Sequence, residues 1–378
     1  MKPAPAQEWA KRAAAAERAV ADRHLRRLWQ LPGTQLGVVG WPPTARDRAF
    51  GSWHYWWQAH LLDTLVDAHL RDPQPARVQR IRRQIRGHLI RNAGRWTNQY
   101  YDDMAWLALA LERAGRLVGI ERPRALKTLA GELFDSWVPE DGGGIPWRKQ
   151  DQFFNAPANG PAGIFLARYG DRLRRAEQMA DWIEATLIDP DTKLVFDGIR
   201  GGSLVRAQYT YCQGVVVGLE TELAVRTGDD RHNRRVRRLV TAIAGHIAPH
   251  GVLRGAGGGD GGLFAGITAR YLALAAAALP GRSAADAEAR DTARGLVLTS
   301  AQSAWDNRAV VDGLPLFGAS WAQPAEVPAG NGARARSADG AVHGSEAAER
   351  DMSVQISGWM LMEAASAVHP VSPPGRGC

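Results

Sequence analysis

The stretch NQYYDDMAWLALALERAGRLVG, residues 98–119, decides how the rest of the chain is read. Leu107, Ala110, Leu111, Ala114 and Val118 recur at intervals of three and four, which places them on one stripe of an α-helix. That helix opens on two adjacent carboxylates, Asp102 and Asp103, with Tyr100, Tyr101 and Trp106 around them. Acidic residues are favoured in a first turn, where they meet free N–H groups and the positive end of the helix dipole. Asp103, however, lies four residues before Leu107, on the buried stripe. It should face inward among aromatic rings, a position that a simple capping role does not explain.

The same periodicity runs through nearly the whole chain. Helices are expected at roughly 8–30, 52–70, 75–92, 102–119, 123–137, 155–169, 172–188, 208–227, 231–248, 262–280, 284–302 and 351–367. Alternating strand patterns are scarce. Short breaks such as RYGDR (168–172) and RTGDDR (226–231) would close helical hairpins. Longer Gly- or Pro-rich connections, PGTQLGVVGWPP (32–43), PEDGGGIPW (139–147), DGIRGGS (197–203) and RGAGGGDGG (254–262), alternate with them. Six hairpins in a ring would gather the long loops on one face. The expected fold is therefore all-α, an (α/α)6 barrel of six helical hairpins, using residues 1–378 as one domain. Residues 305–324 contain aromatics and should pack, 325–350 should be mobile, and the tail 368–378 should be frayed.

Composition limits the function classes. With 45% hydrophobic and 23% charged residues, the chain can bury a large core. The net charge is +8, but the basic residues are scattered over amphipathic segments, with no recognition helix or interleaved aromatic and basic motif. No nucleic-acid partner is expected. Two cysteines, Cys212 and Cys378, make no disulfide framework. Residues 1–30 read as an Arg- and Ala-rich amphipathic helix without the apolar centre of a signal peptide, and no uninterrupted apolar run is long enough for a membrane span. A cytoplasmic location is the resulting expectation, with export by another route left open.

The carboxylate pair suits glycoside hydrolysis, which needs two carboxyl groups about the glycosidic centre. Retaining enzymes hold them about 5–5.5 Å apart, a span that neighbouring residues at a helix start can reach. One carboxylate can attack the anomeric carbon, while its neighbour, held protonated by the adjacent charge, protonates the leaving oxygen. Aspartate pairs also bind magnesium-diphosphate, but such sites repeat an acid one turn later, and Met104-Ala105-Trp106 supplies none. There is no His-Glu-x-x-His motif, Cys-x-x-Cys pair, phosphate loop or nucleophile elbow, and His54 and His60 are six apart, off any shared metal-binding face. No metal or cofactor is expected.

Several segments together resemble glycoside hydrolase family 76, the endo-α-1,6-mannanases. They are YYDD (100–103), GGGIPW (142–147) followed by NAPANGPAGIFLARYG (155–170), LVFDGI (194–199) followed by YTYCQGVVVGLETELAVRTGD (209–229), and GGGDGGLFAGITARYLA (257–273). The resemblance weakens through SVQISGWMLMEAAS (353–366). It implies that Asp102 is the nucleophile and Asp103 the general acid/base, although spacing alone allows the reverse. It also implies sugar contacts from Tyr101, Trp147, Asn155, Asn159, Tyr209, Gln213 and Asp260. The partner would be a mannan-type oligosaccharide or lipoglycan, cut with retention at an α-1,6 linkage. Two alternatives stand beside it: a carbohydrate-binding or scaffold protein on the same barrel without turnover, and another six-hairpin sugar enzyme, an epimerase or lyase. The chain departs from the family pattern at Pro146, Ala265 and Tyr209 to Gly214, which bears on subsite preference.

Overall fold

Half of the long helices are polar along one face and half are buried almost all round, and that division builds the fold. A computed structural model of the chain describes residues 6–139, 143–330 and 332–369. The expectation for the tail falls, beyond His369, outside the described residues. Six helices form an inner ring: α3 (Tyr55–Arg71), α5 (Tyr101–Val118), α7 (Ala156–Arg168), α9 (Thr210–Thr227), α11 (Phe264–Ala278) and α13 (Met352–Val368). Each packs on the next, and α13 closes on α3. Outside them lie α1 (Ala6–His24), α4 (Pro75–Arg91), α6 (Pro123–Asp135), α8 (Leu173–Thr186), α10 (Asp230–Ala242) and α12 (Ala284–Asp306). The chain alternates outer and inner helix, which is the expected (α/α)6 barrel. A one-turn helix, α2 (Ala45–Arg48), precedes α3.

The sequence explains the sorting. In α10, Val236, Leu239 and Val240 are buried while Arg231, Arg234 and Arg238 lie toward the outside, so it has one apolar face. In α13, residues 352–365 are buried without a break, as an inner helix touching neighbours on all sides requires. Glycine lets these inner helices approach closely. A Cβ on Gly214 would lie 2.6 Å from Thr268 Cα, and one on Gly266 would lie 2.8 Å from Ser357 Cα. The stretch Gly259–Ala278 is long and apolar enough to cross a membrane, yet 72% of it is buried inside the barrel, where a core helix has the same composition.

Helix ends follow local chemistry. Pro123 and Pro75 start α6 and α4, and Gly119 and Gly228, both left-handed, end α5 and α9. The first helix stops at His24, short of the expected residue 30. There Leu25 pairs with Gly37, His24 Nδ1 lies 2.8 Å from Val38 O, and Trp29 and Gln30 take positive φ. The turn of α2 was not expected, although Thr44 and Asp47 form a capping box around it.

Because the helices alternate in direction, all six inner helices start at the same end of the barrel. The long connections gather there and carry the small strands. Among these, β3 (Phe153–Asn155), β4 (Gly198–Arg200) and β5 (Ser203–Val205) form an antiparallel sheet. The segment 325–350 contains a hairpin of β8 (Arg336–Ala338) and β9 (Ala341–His343), where the sequence had given no strand signal. Two hairpins complete the strands: β1 (Leu25–Arg26) with β2 (Leu36–Gly37), and β6 (Ala309–Val311) with β7 (Leu314–Leu316).

Candidate active site

A cleft of about 790 Å³ opens at the end where the inner helices begin. Asp102 and Asp103 lie in its wall, in the first turn of α5. Asp102 Oδ1 accepts from the Asp103 backbone N–H at 2.8 Å, and its Oδ2 accepts from Trp147 Nε1 at 2.9 Å. Asp103 Oδ2 accepts from Asn98 Nδ2, and Asn98 is itself fixed by accepting from the Tyr100 N–H at 2.9 Å. Both carboxylates are thus oriented by neutral donors. No arginine or lysine forms an ion pair with either among the described residues.

That environment sets their protonation. Burial pushes the Asp102 carboxyl up to about 7, against the pull of its hydrogen bonds from the Asp103 N–H and Trp147. Asp103 is raised well above the usual carboxylate range, by burial first and then by the negative charge of Asp102. Two carboxyls so placed titrate as a pair, and the charge of one favours the protonated form of the other. The arrangement keeps one acid and one base side by side at a single site, which is what acid-assisted displacement at an acetal carbon requires.

The wall is aromatic. Trp147 meets Tyr100 edge to face, with ring centroids 5.2 Å apart, and Phe153 at 6.1 Å. Tyr209, 43% exposed, stands at the start of α9 beside Phe264, on which Tyr211 is stacked at 3.9 Å. The β8–β9 hairpin lies over this wall. Gly340 at its turn has φ of +86°, and a Cβ there would lie 2.6 Å from the Trp147 ring. Asp260 anchors the hairpin. Its Oδ2 accepts from the Val342 N–H at 2.7 Å, and its Oδ1 accepts from Trp56 Nε1 and Trp57 Nε1, both at 2.9 Å.

The sequence profile of glycosyl hydrolase family 76 matches residues 12–348. The chain belongs to that family. Among solved structures, the α-1,6-mannanase of Salegentibacter sp. HEL1_6 is similar at a TM-score of 0.79 and 26% identity, over 95% of this chain and 99% of that one. An inactive variant of that enzyme, with two consecutive aspartates replaced by asparagine and in complex with α-1,6-mannotriose, is similar at 0.78 and 26% over the same shares, 95% and 99%. Dfg5 from Chaetomium thermophilum, in complex with glucosamine, shares the fold at 0.73 and 16%, over 97% of this chain and 92% of that one. No curated protein sequence matches this chain.

Within this family 76 member the expected site residues divide into two groups. Asp102, Asp103, Trp147, Asn155, Tyr209 and Asp260 are brought together around the cleft. Asn155 caps α7, its Oδ1 accepting from the Ala158 N–H at 3.1 Å, and among the described residues its Nδ2 has no protein partner. Asp260 lines the cleft with its oxygens already engaged by the hairpin and the two indoles.

Asn159, Gln213 and Tyr101 were expected to contact sugar, and the structure corrects all three. Gln213 is fully buried. Its Oε1 accepts from the Val195 N–H at 2.7 Å, and its Nε2 donates to Val195 O at 2.9 Å and Tyr209 O at 3.1 Å. Asn159 does the same with Ile145 N–H, Ile145 O and Asn155 O. So do Gln58, with Gly37 and Trp53, and Gln355, with Phe317 and Glu349. Four inner helices thus use one amide each to clamp the loop that crosses their start. The amide satisfies both backbone groups of one loop residue, as a strand neighbour would. Tyr101 turns away from the cleft, toward a surface hollow with Lys127 and Glu132, and Tyr100 takes the place foreseen for it.

Sequence reasoning also missed Asn98 and Asp197. Asp197 lies in the cleft wall, raised to about 7 by burial, with Arg200 as the main opposing influence. Its signal was present in LVFDGI, where a lone acid sits in an apolar run.

Proposed function

We propose that the chain is a retaining glycosidase that cleaves α-1,6-linked mannosides with Asp102 as nucleophile and Asp103 as general acid/base. The observation that supports it most is the pair itself: two adjacent carboxylates in one cleft, oriented by Trp147 and Asn98, without a paired cation. The role assignment follows the local donors. Asp102 accepts two hydrogen bonds that favour its charged form, whereas Asp103 accepts one and faces its neighbour's charge.

In the first step an Asp102 oxygen bonds to the anomeric carbon as the glycosidic C–O bond breaks, and the Asp103 proton passes to the leaving oxygen. In the second, Asp103 takes a proton from water, the water oxygen bonds to the anomeric carbon, and the bond to Asp102 breaks. Two inversions leave the α configuration, and Asp103 ends protonated as it began. Trp147 and Tyr209 offer aromatic faces to the apolar side of a sugar ring. The substrate class rests on the similarity to the Salegentibacter α-1,6-mannanase and on its variant with two consecutive aspartates changed. A panel of linkage-defined manno-oligosaccharides tests the reading. Cleavage confined to α-1,6 bonds, and abolished in Asp103→Asn, is expected. Cleavage of other linkages only, or full activity in that variant, would refute it.

A further inference from the structure

One corner of the cleft is built from arginines that no carboxylate neutralises. Elsewhere in the barrel, several guanidiniums are matched by carboxylates, Arg71 with Glu17 and Glu363, Arg77 with Glu17, Arg168 with Glu222, while the buried Arg23 and Arg350 are held by backbone carbonyls. Arg46, Arg91 and Arg200 all line the cleft, and none has a carboxylate within ion-pair distance among the described residues. Arg46 and Arg91 converge on one turn of chain. Arg91 Nε donates to Phe50 O at 3.1 Å, and the Arg46 side chain runs beside Gly51, its Cγ 2.9 Å from where a Cβ would stand.

Arg91 is half-buried, and burial lowers its guanidinium pKa with no acid to offset the effect. Its two Nη groups have no protein partner among the described residues, so four N–H donors are left over. Burial on one side and open donors on the other suit a guanidinium to a charge-assisted hydrogen bond with an incoming anion. Two indoles flank it. Its guanidinium lies 5.1 Å from the ring of Trp53, in the cleft, and 5.9 Å from that of Trp29. Trp29 is 50% exposed and holds a left-handed backbone, φ 46° and ψ 32°, that a tryptophan rarely adopts. The Arg91 guanidinium thus stands between Trp53 in the cleft wall and the exposed ring of Trp29 beyond it.

We propose that this corner, Arg46 and Arg91 between Trp53 and Trp29, binds a phosphate group carried by the glycan, so that the preferred substrate is an anionic, phosphate-bearing α-mannoside. The proposal deepens the glycosidase reading and rests on it for the sugar part. Guanidinium forks match phosphate oxygens in pairs, and two of them converging on one turn favour an anion over a neutral hydroxyl. The flanking rings would hold the adjoining sugar or headgroup by its apolar face.

The test compares three probes: α-1,6-mannotriose, the same trisaccharide with a phosphate monoester on its non-reducing mannose, and the same trisaccharide joined at its reducing end through a phosphodiester to a glycerolipid in phosphatidylcholine vesicles. The structure predicts about tenfold higher kcat/KM for at least one phosphate-bearing probe than for the neutral one. That ratio should fall towards one in Arg91→Gln and in Arg46→Gln, the latter an exposed side chain whose replacement does not threaten folding. High salt should reduce it as well. A gain with the lipid-linked probe alone identifies a headgroup phosphate, and a gain with the monoester identifies a phosphorylated sugar. Equal kcat/KM for all three, or a preference that survives both substitutions, overturns the proposal. If none of the three is cut, the glycosidase reading fails, and calorimetry with the same probes decides the anion site separately. Binding about tenfold tighter with phosphate and lost in Arg91→Gln upholds it, whereas equal binding overturns it.

Discussion

The two ends of the barrel bury carboxylates under opposite conditions. At the end where the inner helices finish, Asp63 and Asp67 are bridged by Arg113 and again by Arg270, beside a second cavity of about 480 Å³. Burial there works to raise Asp63, but Arg113 and Arg270 override it and hold the carboxyl down at about 2. At the end where the inner helices begin, Asp102 and Asp103 have only neutral donors, and burial raises both. The same residue type is held as an anion at one end and favoured in its protonated form at the other. The difference is the presence of guanidinium partners, and it separates the end that holds the ring together from the end proposed to carry the chemistry.

The contrast can be broken from either side. Asp103→Asn should have the largest effect, lowering kcat/KM at least about 10³-fold, because it removes the acid proposed to assist departure. It should also raise thermal stability at alkaline pH. A carboxyl whose folded pKa is raised contributes stability that is lost as pH rises through that pKa, and the amide has no such loss. A thermal melt at two pH values alongside the kinetics checks both halves.

Arg113→Ala attacks the other end. It leaves Asp63 and Asp67 short of a partner and should cost roughly 3–5 kcal/mol in denaturant unfolding, while the donors to Asp102 and Asp103 stay in place. Asp63 is depressed, so its contribution is present above the unfolded carboxylate pKa and fades as pH falls towards about 2. In the variant that acid-side loss should be smaller.

Gln213→Ala tests the amide clamps. It strips both backbone partners from Val195 and should cost roughly 1–3 kcal/mol, read as a lowered Tm, because two buried polar groups lose their hydrogen bonds. Trp147→Phe should have the smallest effect. It removes one donor to the Asp102 carboxylate, so the acid limb of the kcat/KM profile, expected near pH 7, should move to higher pH. A limb that stays in place would mean that the indole does not stabilise the charged form.

The helices were legible because a ring of hairpins writes a simple code: one apolar stripe outside, continuous apolar faces inside. The Asp102–Asp103 pair was legible because a carboxylate on the stripe of Leu107 contradicts its own surroundings. Gln213 and Asn159 were misread because an amide in a Gly-rich loop-and-helix segment looks the same whether it faces a ligand or the backbone behind it. Only the fold shows that Val195 and Ile145 take up their hydrogen bonds. Tyr101 failed by one residue. At a helix start one position turns a side chain by about 100°, enough to exchange the cleft for the outer surface. The β8–β9 hairpin could not be foreseen, since its strands are three residues each and Arg336–Ala338 is exposed throughout, which leaves no alternation to read.

In the proposed mechanism Asp102 forms a bond to the sugar while Asp103 carries the proton. The most direct test is proton NMR of the first product released from α-1,6-mannotetraose, before mutarotation. Double displacement releases the α-anomer first. First release of the β-anomer would mean a single displacement by water and would contradict it.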